Sequence, residues 1–325
     1  MDRQYSRVPR VTRLEYLIDL LKGVEKGYDR QRLEQVLSER KTWFEAQKYQ
    51  ALGRGRPFMK ALRGARNLLA DSIKMATQMG YAEYNSVLRL TEEGQRFLFS
   101  DGEEQNNSFA SKFLNIYYVA SELLVVLLRQ PDEELEVPDT SHLEDTSAFQ
   151  ETLTQHRIKT DVFTFKTIRD ILSQLGIVNW FKLRRDGFPY MKVYPTSFIT
   201  DNRAKPGTIS FTYLDTNYCI EKRRADQESL TKAIWTEYMA VTKDIPLRPA
   251  FYSNLRERVC YKLRISDKEF DSSIRMLMNI SNAPFRVIWS SGTLPYSRDS
   301  AGLIKSLPPK SEQGQYMIYL KIAKR

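Results

Sequence analysis

Apolar residues recur at helical spacing along the first 80 residues. Leu14, Leu17, Ile18 and Leu21 make one stripe in "RLEYLIDLLK". A second helical stretch covers 29–50, with Asp29 as its cap. "GRGRPF" breaks it, and Pro57 suits the first turn of a third helix, 58–79, which stops at Gly80. "YAEYNSVLRL" then alternates as a short hairpin with Asn85–Ser86 near its turn. The strand in "VLRLTEEGQRFL" runs directly into a helix: Thr91 is a good N-cap, and Glu92 and Glu93 suit the positive helix end. Gly94 falls early in that helix, where the expected gain is close packing at the join.

Residues 109–129 are apolar nearly all round, yet contain Lys112 and Glu122. They predict a buried helix, placed between domains or at a dimer interface. "QPDEELEVPDTSHLEDTS", 130–147, reads as a proline-punctuated acidic linker. Helices follow at 148–157 and 164–175, the second ended by Gly176. "IVNWFKL" and "YMKVYPT" are strand-like and joined through Asp186–Gly187, a strong hairpin signal. Residues 201–228 form a connector with a strand, "TISFTYL". Helices are then expected at 229–242, 249–262 and 266–279, the last opened by a Ser266–Glu269 capping box. Strands "FRVIWSS" and "YMIYLKIA" close the chain around a long loop rich in Gly, Pro and Ser. A helix, a break, a strand, a wing-like loop and a strand thus occur three times, without a sequence repeat.

This pattern resembles the winged helix-turn-helix superfamily. The best local match is "ARNLLADSIKMATQMGYAEYNSVLRLTEEGQRFL", 65–98, which is similar to MarR- and PadR-type factors. In those, a recognition helix leads through a wing into an "LT-x-x-G-x-x-x-L" segment, here Leu90, Thr91, Gly94 and Leu98. The implied fold is mainly α (α+β), with three tandem winged-helix modules. Their expected boundaries are 1–107, then 108–200 with the connecting helix and acidic linker, a connector at 201–228, and 229–325.

The resemblance implies DNA binding through the third helix of a module, with the wing on the backbone or minor groove. On helix 58–79, Leu62, Ala65, Leu69, Ile73 and Ala76 share one side. Lys60, Arg63, Asn67 and Lys74 lie nearly opposite, with Asp71 close by. Cations suit phosphates, and Arg and Asn suit base edges. Lys60, Arg63, Arg66 and Asn67 are therefore the expected groove residues, with Arg54, Arg56 and Lys74 on phosphates. "RGRP", Arg54–Pro57, also resembles the AT-hook core, though a basic interhelical turn accounts for it. Helix 164–175 offers Lys166, Asp170 and Ser173; helix 266–279 offers Lys268, Asp271, Ser272 and Arg275. Their carboxylates would repel phosphate. Those modules are expected to touch DNA through wings, at Arg184 and Arg185 or Arg298 and Lys305, or to bind protein instead.

Charge agrees with a polyanionic partner. The 325 residues carry a net +10, as +7 over 1–100, −10 over 101–155 and +13 over 156–325. No run of about 18 apolar residues reads as a membrane span, and the N-terminus lacks a signal core, so a cytoplasmic protein is expected. Cys219 and Cys260 are too few for a disulfide framework or thiolate metal site, and His142 and His156 have no partner at metal spacing. Phosphate-loop and dinucleotide signatures are missing. The sequence therefore reads as non-catalytic, without cofactor or metal, binding double-stranded DNA as a transcriptional regulator or DNA-maintenance factor. The alternative is a scaffold or accessory subunit of a complex acting on DNA in maintenance, replication or defence. Protein partners from such a complex, or a homodimer, fit either reading; a membrane fits neither.

Overall fold

The computed structural model describes residues 5, 7–51, 65–129, 134–139, 146–185, 188–200, 208–279, 285–290 and 316–324. The fold is mixed α+β, with helices and small antiparallel sheets. It divides into two compact units, one of Met1–Glu45 with Pro57–Glu221 and the other of Ala46–Arg56 with Lys222–Arg325.

The first unit opens with α1 (Leu14–Glu25), α2 (Arg30–Ala51) and α3 (Ala65–Gln78). Leu14, Leu17 and Leu21 of α1 are buried, as the stripe predicts; Ile18 is only half-buried, and Leu20, outside the stripe, is fully buried instead. The hairpin β1 (Ala82–Asn85) and β2 (Val87–Leu90) turns at Ser86, which takes a positive φ of 64°. Helix α4 (Glu92–Phe99) follows at once: the Thr91 hydroxyl accepts from Gly94 N at 3.0 Å. Gly94 is required there. A Cβ on it would lie 1.9 Å from the Tyr81 carbonyl oxygen, a backbone atom that cannot rotate away.

The apolar stretch 109–129 is two helices, not the single one its composition suggests. α5 (Gly102–Ile116) and α6 (Tyr118–Arg129) meet at 99°. Tyr117 marks the break; its hydroxyl donates to Gln78 Oε1 at 2.9 Å. Lys112 and Glu122 are both accommodated. Lys112 pairs with Glu93, and Glu122 meets Tyr213 and the backbone of Lys159.

The acidic linker also folds. β3 (Leu135–Pro138) pairs with β5 (Phe188–Pro195), which pairs with β4 (Val178–Arg185), in the order β3-β5-β4. Leu135 and Val137 alternate into the core. The acids around them find cations: Lys192 reaches Glu134 at 2.6 Å and Glu136 at 3.7 Å, and Lys182 reaches Asp139 at 2.7 Å. Helices α7 (Ser147–Gln155) and α8 (Val162–Gln174) lie between β3 and β4 in sequence. The connector 201–228 likewise carries structure, since β7 (Ile209–Tyr213) and β8 (Thr216–Lys222) form a sheet with β6 (Ser197–Thr200). Asn115 of α5 ties β7 down, donating to Ser210 O and accepting from Thr212 N.

One latch occurs twice in this unit. After α3, the Thr91 hydroxyl donates to Gly80 O at 2.6 Å and its N–H to Tyr81 O at 3.1 Å. After α8, the Thr196 hydroxyl donates to Gly176 O at 2.8 Å and its N–H to Ile177 O at 2.9 Å. Each hairpin is thereby closed onto the glycine that ends the preceding helix. Both glycines take positive φ, 66° and 72°, which favours glycine.

The second unit contains α9 (Gln227–Thr242), β9 (Ala250–Phe251), α10 (Tyr252–Leu263), α11 (Asp267–Asn279), β10 (Phe285–Ser290) and β11 (Tyr319–Lys324). Its sheet runs β10-β11-β9. Its own core includes Leu230, Ile234, Tyr238, Leu255, Val259, Phe270 and Ile274. The path α6–β3–α7–α8–β4–β5 and the path α9–β9–α10–α11–β10–β11 are therefore the same. In both, helix, strand, helix, helix, strand and strand follow in turn, and the short first strand pairs with the last.

Candidate nucleic-acid interface

Helix α3 separates its faces cleanly. Leu68, Leu69, Ser72, Met75 and Ala76 are buried, while Asn67, Ala70 and Lys74 are exposed. The spacing of 67, 70 and 74 places these three on one outward face. Asp71 is half-buried at its edge. Gly80 terminates the helix, with Tyr81 N donating to Ala76 O at 2.8 Å.

Arg54, Arg56, Lys60 and Arg63 lie outside the described residues. Arg66 stands in the first turn of α3, and only its backbone is described. Arg184 and Arg185 end β4, opposite Pro189 and Phe188, again with backbone alone described. Arg298 and Lys305, like His142, are also outside the described residues.

The structure adds two cations that helical patterning missed. Arg7 and Arg10 are exposed and line a cleft of about 320 Å³ together with Asp71 and Lys74 of α3 and Asp161 and Phe163 beside α8. The Arg10 guanidinium lies 3.9 Å from the Phe163 ring centroid, a cation–π contact that fixes its side chain. The signal was present in "RVPR": buried Val8 and Pro9 anchor the segment and leave the flanking arginines outside.

Asp161 is engaged in structure. Its carboxylate caps α8, accepting from Phe163 N at 2.9 Å, Thr164 N at 3.0 Å and the Thr164 hydroxyl at 2.7 Å. Burial opposes its charge, but these bonds and nearby Arg7 outweigh burial and hold the carboxyl below its ordinary value. The cleft therefore presents Arg7, Arg10 and Lys74 against two carboxylates, one of them already occupied.

The first hairpin is not a basic wing. Arg89 sits opposite Glu83, and Tyr84 and Val87 are the large apolar side chains it exposes. Helix α8 is partly covered where a reading helix would need to be open. Arg10 stacks on Phe163 at its start, and at its end Gln174 Nε2 donates to Thr12 O at 2.5 Å and Gln174 Oε1 accepts from Leu14 N at 3.2 Å. Arg169 is buried between Asp170 and the Trp180 ring. Lys166, Asp170 and Ser173, expected on an outward face, are only half-exposed.

Among the described residues no group of three His, Cys, Asp or Glu side chains is placed to hold a metal ion. No single described helix is long and apolar enough to cross a membrane. Comparison of the chain with protein-family models, curated proteins and solved structures finds no match.

Proposed function

We propose that the chain is a non-catalytic, duplex-DNA-binding protein of tandem winged-helix modules, acting as a transcriptional regulator or DNA-maintenance factor. The observation that carries this reading is the outward face of α3, where Asn67 and Lys74 stand beside a cleft bearing Arg7 and Arg10. Lysine and arginine neutralise phosphate, and an amide can bond a base edge. Lys60, Arg63 and Arg66 extend the same cationic sequence, with Arg54 and Arg56 just before it. The twice-repeated path of helix, strand, two helices and hairpin supports the winged-helix part of the reading, since it supplies a third helix followed by a wing in each case.

Charge reversal at Lys74 and Arg10, Lys74→Glu with Arg10→Glu, tests the face directly. Duplex affinity is expected to fall with the far-ultraviolet circular dichroism unchanged. Retained affinity would remove α3 from the role.

The alternative, an accessory subunit of a DNA-processing complex, is favoured by the exposed Tyr84 and Val87 on the first hairpin, which suit an apolar protein partner. Tyr84→Glu with Val87→Glu should leave duplex binding intact and release such a partner during purification from the native extract.

A further inference from the structure

The net charge is concentrated in one unit. Residues 1–45 and 57–221 hold 28 Lys and Arg against 30 Asp and Glu, whereas residues 46–56 and 222–325 hold 22 against 10. The whole excess of the chain thus belongs to the second unit.

Within that unit, α11 faces solvent with Lys268, Ser272, Arg275, Met276 and Asn279. Positions 268, 272, 275, 276 and 279 fall within about 100° of helical arc. The sequence places Asp271 near this arc, which would spoil it for phosphate. The fold removes that objection. Asp271 turns inward, where Arg256 Nη1 meets it at 3.2 Å and the Tyr252 hydroxyl donates to it at 2.6 Å. Asp267 also approaches Arg256, at 3.8 Å. The Arg256 side chain is only 3% exposed. Burial disfavours its charge, but the two aspartates more than offset this and hold the guanidinium above its ordinary value. A buried arginine on α10 therefore draws two carboxylates away from the outer face of α11.

We infer that α11 is a second duplex-DNA-binding face, entering the major groove with Lys268 and Arg275 on phosphates or guanine and with Ser272 and Asn279 at base edges. The inference rests on the duplex-DNA reading above, but uses a different helix in a different unit. Charge complementarity selects the occupant: a polar helix face carrying Lys268 and Arg275, with half-exposed Glu269 only at its edge beside Met276, on the strongly basic part of the chain, matches a polyanion. A B-form major groove is wide enough to admit a helix.

The test uses the full chain and a random-sequence DNA duplex, followed by fluorescence anisotropy over a range of salt. Lys268→Glu with Arg275→Glu is compared with Arg224→Glu and Arg248→Glu, a pair with the same change of charge at exposed sites off α11. The α11 pair should weaken binding at least about tenfold and flatten the log affinity–log salt slope by about 2, since each lost phosphate contact removes ~0.9. The control pair should do less than half of that. Equal losses from the two pairs, or no loss from the α11 pair, would overturn the inference. Loss from the α11 pair while Lys74→Glu with Arg10→Glu binds normally would retain α11 and remove α3. The reverse pattern would retain α3 alone.

Discussion

Helices α8 and α11 hold the same place in the same chain path, but their surfaces are treated in opposite ways. α8 is partly covered: Arg10 stacks on Phe163, which is still 54% exposed, Gln174 is bonded to Thr12 and Leu14, and Arg169 is buried against Trp180. α11 is opened: Asp267 and Asp271 are drawn toward Arg256, Glu269 stays half-exposed at the edge of the face, and Lys268, Ser272, Arg275 and Asn279 are exposed. A shared connectivity therefore does not assign a shared role. The difference lies in which side chains the neighbouring elements supply. A buried arginine behind α11 draws two acids from its face, while an N-terminal arm in front of α8 partly covers it.

The largest effect should come from the device behind α11. Arg256→Met leaves Asp267 and Asp271 without their buried cation, and should destabilise the second unit by about 3–5 kcal/mol. Chemical denaturation followed by Trp235 and Trp289 fluorescence reads this out, with the unit's transition moving to lower denaturant. An unchanged transition would mean that the aspartates need no partner.

Extending the comparison to α3 gives the next effect. Gly94→Ala places a Cβ on the Tyr81 carbonyl, so α4 must shift from the hairpin that follows α3. A loss of about 3 kcal/mol is expected, at the upper end for overpacking against fixed atoms. Thermal unfolding of the purified variant measures it, and a wild-type midpoint would contradict the close join.

The cap of α8 should matter less. Asp161→Ala removes the carboxylate that three donors share and should cost about 1 kcal/mol at neutral pH. Because the folded pKa of Asp161 lies below its unfolded value, the contribution is full above about pH 4 and disappears as pH falls through the folded pKa. The gap between wild type and variant should thus narrow on acidification. A gap that widens would assign the stability to another group. Smallest of all is the cover itself: Arg10→Ala should cost about 0.5 kcal/mol, as an exposed cation–π contact does.

Much of the fold was legible because local signals agreed with it. Gly80 and Gly176 end helices where patterning placed the stops, and Thr91 caps α4 as its position before two acids suggests. The buried side of α3 follows its apolar spacing at Leu69 and Ala76. Other features depended on distant partners. β3 looked like a solvated linker because Glu134, Glu136 and Asp139 surround Leu135 and Val137; only Lys182 and Lys192, more than 40 residues away, make that strand affordable. The bend at Tyr117 leaves no mark in an all-apolar run. Asp271 illustrates the same limit for the site, since helical position puts it near the outer face of α11 and Arg256 decides where its charge goes.

The proposed duplex binding rests on cationic helix faces. Its sharpest test is a titration of the purified 325-residue chain against random-sequence duplex at salt concentrations of about 50 and 200 mM. Saturable binding is expected at the lower salt and a steep loss at the higher, with several phosphate contacts in the slope. Absence of binding at the lower salt would contradict it.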